Sequence, residues 1–82
     1  MRVLIIEDEH NLSHVIKKGL VEQGFAVDQV FDGEEGLYMA SSEPYDIIIL
    51  DIMLPKKDGI SVCKDLREKK FSLLFLCLLQ RL

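Results

Sequence analysis

Ile47-Ile48-Ile49-Leu50-Asp51 is the stretch that decides the fold: four consecutive aliphatic residues, bounded by Asp46, that run directly into a carboxylate. A run this short and apolar, without polar alternation, suits a strand buried on both faces of a parallel sheet. Residues 3–6, Val-Leu-Ile-Ile, have the same character and end in the acids Glu7, Asp8 and Glu9. Between these two runs the period changes. From Asn11, the residues Leu12, Val15, Ile16, Gly19 and Leu20 recur at helical spacing, Lys17, Lys18 and Glu22 take the other faces, and Gly24 supplies a stop. Phe25, Ala26 and Val27 belong to a second, weaker strand, expected near residues 26–29. Asp32-Gly33 then turns the chain into a short helix with Leu37 and Ala40 on its apolar side, closed by Pro44. Beyond Pro55 and the Asp58-Gly59 turn, Ile60, Cys63 and Leu66 predict a third helix ending near Lys69 and Lys70, whose charge suits the helix dipole.

Strands alternating with helices predict a βαβ series and hence an α/β fold: a doubly wound, flavodoxin-like parallel sheet. The expected strand order is second, first, third, with the apolar run over residues 71–79 as a fourth strand beside the third.

Composition narrows the function classes. At 82 residues the chain is one domain at most, and a domain of that size buries only roughly 60–65% of its unfolded surface. A hydrophobic fraction of 49% with 29% charged residues belongs to a packed globular protein. The net charge of −4, from 10 basic and 14 acidic side chains, argues against direct nucleic-acid binding, which needs clustered Lys and Arg. Cys63 and Cys77 lack a CxxC spacing and are expected to be reduced thiols, with no disulfide. The apolar start is shorter than the core of a signal peptide, and the run over residues 71–79 is shorter than the roughly 20 residues needed to span a bilayer. A cytoplasmic protein without membrane association is expected.

Two strands end in carboxylates, and in open α/β sheets ligands bind beyond the carboxyl ends of the strands, where strand order reverses. If the first and third strands are neighbours there, Glu7, Asp8 and Asp51 converge in one cleft. Carboxylates gathered in this way repel one another unless a cation sits among them, and oxygen-only donors favour Mg2+. A carboxylate so placed can attack phosphorus and form an aspartyl phosphate. Asp51 stands alone at the end of a stiff strand, whereas Glu7 and Asp8 are adjacent and can share the ion, so Asp51 is the better nucleophile. Glu9 is expected only to cap the following helix. His10 and His14 lie four apart, a spacing that can bind zinc when a third ligand is near, but they are expected to be ordinary helix-surface residues.

At these residues the chain resembles the receiver domains of bacterial two-component response regulators. Residues 3–9, VLIIEDE, are similar to the family's paired-acid motif, and residues 47–59, IIILDIMLPKKDG, to its phosphoacceptor motif, with Pro55 and Gly59 at the expected spacing. Residues 31–37, FDGEEGL, resemble the start of its second helix. The resemblance implies that Asp51 takes a phosphoryl group from a sensor histidine kinase. It further implies that Glu7, Asp8 and Asp51 hold Mg2+ with the backbone carbonyl of Met53. Receiver-receiver pairing is a further implied contact, and the module is not an enzyme beyond self-catalysed phosphotransfer. Glu7 in place of Asp resembles the subgroup that joins a receiver to a winged-helix DNA-binding domain.

The resemblance covers residues 1–71 and then fails, so the chain reads as a partial receiver over 1–82 with an aberrant apolar tail over 72–82 and no output domain. The family's hydroxyl residue after the fourth strand and its lysine after the fifth cannot be placed. Back-translated from Ser72 and read one nucleotide earlier, the tail can yield Thr-Pro-Ile-Leu-Met-Leu-Thr-Ala-Lys-Ala, similar to the family's fourth strand, which makes a frameshift the expected origin of the tail. Two alternatives to a working phosphoacceptor follow: an inactive truncated fragment, or a small interaction protein that binds a kinase or a full-length regulator. The seven apolar residues 73–79, without charge or proline, also predict an aggregation-prone strand.

Overall fold

A computed structural model of the chain describes residues 1–51, 60–61, 64–65 and 74–79, with the side chains left out at 51 and 74–79. The elements follow in the order β1 (Arg2–Ile6), α1 (His10–Glu22), β2 (Ala26–Val30), α2 (Gly33–Ser42), β3 (Ile47–Asp51) and β4 (Leu74–Leu79). Ile60, Ser61, Lys64 and Asp65 are helical, in the stretch expected to be the third helix; Cys63 and Leu66 lie outside the described residues. Ile60 was expected on that helix's apolar side but is largely exposed.

The four strands form one parallel sheet in the order β2-β1-β3-β4, as the alternating pattern predicts. β1 and β3 take the interior positions and carry the aliphatic runs of residues 3–6 and 47–50. Residues Val3 to Ile6 are buried on both faces of the sheet. Their alternation feeds two cores. Val3, Ile5 and Val27 face α1, where Ile16, Leu20, Phe25, Ile47 and Ile49 join them. Leu4, Ile6, Val30, Ile48 and Leu50 face α2 and pack with Ala40, Tyr45, Leu37 and Met39. Each of the fully buried aliphatics contributes roughly 1.5–3 kcal/mol relative to exposure.

Two expectations for α1 are corrected. Val15, read as part of the apolar stripe, is 69% exposed, and Ser13, which the periodicity ignored, is fully buried. Gln29 on β2 explains the second difference, since its Nε2 donates to Ser13 Oγ at 2.7 Å and so satisfies a hydroxyl that would otherwise be costly to bury. α1 ends one residue before Gln23 caps it, and Gly24 then adopts φ +91°, a conformation glycine takes without strain. α2 stops at Ser42, two residues before Pro44.

Candidate functional site

The β1/β3 register places Ile6 beside Leu50, so the next residues, Glu7 and Asp51, follow at adjacent positions at the carboxyl end of the sheet. β3 continues through Asp51, one residue further than the aliphatic run predicted. The neighbouring β2 ends at the same level, with the Glu7 N–H donating to the Val30 carbonyl at 3.1 Å. This is the point at which strand order reverses between β2-β1 and β1-β3, as the expected cleft requires.

Glu7 has no exposed surface. Its Oε2 accepts from the Glu9 N–H at 2.9 Å, so the carboxylate is held under the turn that leads into α1. A wholly buried carboxylate is costly unless it is hydrogen-bonded or faces a cation, so Glu7 is not a solvated loop residue. Asp8 is half-buried and follows directly, at the mouth of the same turn. Glu9, by contrast, is exposed and accepts from the Asn11 N–H at 3.0 Å as the N-cap of α1, the structural role the sequence assigns to it. The backbone thus brings Glu7, Asp8 and Asp51 to one end of the sheet. Met53, the fourth expected ligand, lies outside the described residues. Among the described residues, which leave out the Asp51 side chain, no three His, Cys, Asp or Glu groups are gathered as a metal cluster. The buried, oxygen-only donor at Glu7 and the acids at the two adjoining positions nonetheless fit a hard divalent cation better than a softer metal.

His10 and His14 are exposed, and both pack on Phe31, with His10 tilted by 34° at a ring-centroid distance of 4.0 Å and His14 edge-on at 6.4 Å. His14 Nδ1 also lies 3.0 Å from Gln29 Nε2. Aromatic packing on Phe31 therefore accounts for the placement of both imidazoles. At the opposite end of the sheet a polar network went unnoticed in the sequence. Arg2 reaches Asp28 at 3.2 Å and Glu43 at 3.3 Å, lies 4.9 Å over the Tyr45 ring, and donates its backbone N–H to Asp46 at 2.8 Å. Tyr45 donates its hydroxyl to Asp28 at 2.6 Å. No local period marks these residues, because they are drawn from β1, β2 and the α2–β3 connection, far apart in sequence.

The response regulator receiver domain family matches residues 3–78, continuing past residue 71, where the motifs alone show the likeness ending. The transcriptional activator protein IrlR of Burkholderia pseudomallei is 52% identical over 68 residues, covering 83% of this chain and 30% of that protein. The transcriptional regulatory protein DltR of Streptococcus agalactiae is 46% identical over 68 residues, with the same coverage of 83% and 30%. The chain thus spans about 30% of the length of these relatives. Among solved structures, the response regulator TrrA of Thermotoga maritima in complex with Mg2+ and BeF is 36% identical with a TM-score of 0.89, over 93% of this chain and 66% of that one. TrrA in complex with the histidine kinase ThkA superposes with a TM-score of 0.85 at 36% identity, over 90% of this chain and 64% of that one. No helix among the described residues is long and apolar enough to cross a membrane. With the family model matched over residues 3–78 of the 82, this chain belongs to the response regulator receiver domain family.

Proposed function

We propose that Asp51 accepts a phosphoryl group from the phosphohistidine of a sensor histidine kinase in the cytoplasm. The observation that carries this reading is the β1/β3 register, which sets the acid-bearing ends of the two interior strands side by side. A carboxylate oxygen of Asp51 attacks phosphorus, the phosphorus–nitrogen bond breaks, and the electron pair returns to the kinase imidazole. Glu7, Asp8, Asp51 and the Met53 carbonyl would hold Mg2+, whose charge offsets that of the transferred group. Glu7, held by the Glu9 N–H, would be a fixed ligand, and Asp8, being more accessible, would complete the acidic pair. TrrA supports both parts of the proposal, since it is known with Mg2+ and BeF and with its kinase. A transcriptional output through a winged-helix domain is the matching proposal for a longer product, supported by the relatives' description as transcriptional regulators.

One observation favours a weaker acceptor. Across the β3/β4 ladder the partner of Asp51 is Leu79, and the sequence goes on as Gln80-Arg81-Leu82, none of them the hydroxyl residue that the resemblance implies after the fourth strand. Incubation with acetyl phosphate and Mg2+, read by mass spectrometry of the peptide that contains Asp51, tests the proposal. Slow, Mg2+-dependent labelling that disappears in Asp51→Asn is expected. Labelling that persists in Asp51→Asn, or none after prolonged incubation, would overturn it.

A further inference from the structure

We infer that Gln29 is a positioning residue for the Glu7 carboxylate, acting through Ser13 and the first turn of α1. The service of that carboxylate to Mg2+ rests on the function proposed above, whereas its placement is set by the chain's own hydrogen bonds. Gln29 stands two residues beyond Val27 on β2 and so shares the sheet face that α1 covers. Its register partner on β1 is Ile5, a core residue of the same face. An apolar side chain would suit such a place unless the carboxamide had partners there. It has two on α1. Gln29 Nε2 donates to Ser13 Oγ at 2.7 Å and lies 3.0 Å from His14 Nδ1, so one amide nitrogen reaches two successive residues of the helix.

From Ser13 the connections run on to the acidic cleft. Ser13 is fully buried, and its N–H donates to the Glu9 carbonyl at 3.0 Å, across the first turn of α1. The Glu9 N–H donates in turn to Glu7 Oε2 at 2.9 Å. The Glu7 N–H donates to the Val30 carbonyl at 3.1 Å, which returns the path to β2 one residue beyond Gln29. Gln29, Ser13, Glu9, Glu7 and Val30 thus close a circuit. Within it the first turn of α1 is tied to β2 at Ser13 and holds the buried carboxylate at Glu9. If the Gln29–Ser13 bond is lost, α1 still packs on the sheet through Ile16 and Leu20, but these lie about one and two turns further along. The turn that carries the Glu9 N–H then loses its tie. Groups that orient a metal ligand from behind act in this way, and losing one weakens binding without removing a ligand.

Two variants of the 82-residue chain test the circuit. Gln29→Met keeps the length of the side chain, adds no charge and removes the donor, and Ser13→Ala removes the acceptor. Hydrogen exchange followed by NMR without metal should show the Glu9 amide exchanging about tenfold faster in both, the equivalent of one lost hydrogen bond. The amides of Val3 to Ile6, in the core of β1, should keep their protection. Titration with Mg2+ should give a Kd raised by about tenfold in each variant. The double variant should show no further change in either measurement, because both substitutions remove the same bond. Glu9 exchange at the parent rate in Gln29→Met, or losses that add in the double variant, would overturn the inference. An equal loss of protection at residues 3–6 would mean a general loosening of the fold and would overturn it as well. A parent chain that binds no Mg2+, with Glu9 exchange still faster in both variants, would strike the metal reading and leave Gln29 as the residue that places the carboxylate.

Discussion

Glu7 is where a single side chain carries the most consequence. It is buried completely, and a carboxylate in that setting lowers the stability of the fold unless hydrogen bonds or a cation offset its lost hydration. Glu7→Gln keeps an oxygen for the Glu9 N–H and removes the charge. The melting temperature of Glu7→Gln without Mg2+ should then equal or exceed that of the unmodified chain, by on the order of 1 kcal/mol in stability, while Mg2+ binding weakens. Asp8→Ala and Asp51→Asn should abolish the binding seen by calorimetry. Heat of binding that survives both changes would place the ion elsewhere, and a Glu7→Gln variant that melts well below the parent would mean that the carboxylate is there for structure.

At the scale of elements, α2 meets β1 closely at Gly36. A Cβ built on Gly36 would lie 2.7 Å from Ile6 Cδ1 and 2.8 Å from Ile6 Cγ2, and Ile6 is fully buried. Alanine favours a helix over glycine by up to about 1 kcal/mol, but overpacking a closed core costs about 1–3 kcal/mol. Steric crowding wins. Gly36→Ala should lower stability by about 1–2 kcal/mol in denaturant titration, and Ile6→Val added to it should recover part of the loss by removing Cδ1. A neutral Gly36→Ala would show that α2 can lift from the sheet at little cost. The consequence reaches the site, because Ile6 is the residue directly before Glu7.

The whole molecule is held at its other end by the Arg2, Asp28, Glu43 and Tyr45 network, which ties β1, β2 and the α2–β3 connection together. Burial first, and then the hydrogen bond to Asp28 and its charge, push the Tyr45 phenol above its ordinary value. In the unfolded chain the phenol ionises near about 10, so above that pH the unfolded state holds fewer protons than the folded one and stability falls as pH rises. Below it the contribution is present in full. Chemical denaturation between pH 8 and pH 11 should show the advantage of the parent chain over Tyr45→Phe constant at first and then shrinking by up to about 1.4 kcal/mol per pH unit. Parallel slopes for the two proteins at high pH would mean that Tyr45 ionises as freely folded as unfolded.

The aliphatic runs at residues 3–6 and 47–50, their terminal acids, the helical period of α1 and the strand order were all legible in the sequence. Each is written in local periodicity or in the short list of ways that βαβ units can wind. The cap at Glu9 was legible for the same reason, since a cap acts within its own turn. Tertiary structure alone decided which helical residues are covered. Val15 follows the apolar spacing yet points to solvent, and Ser13 breaks it yet is buried, because burial depends on what the opposite element presents, and there β2 presents Gln29. Tertiary structure also decided the complete burial of Glu7 and the network around Arg2, whose hydrogen bonds to Asp28, Glu43 and Asp46 cross 26, 41 and 44 positions of sequence. Contacts at such separations leave no periodic trace, since they exist only after the sheet has set distant segments side by side.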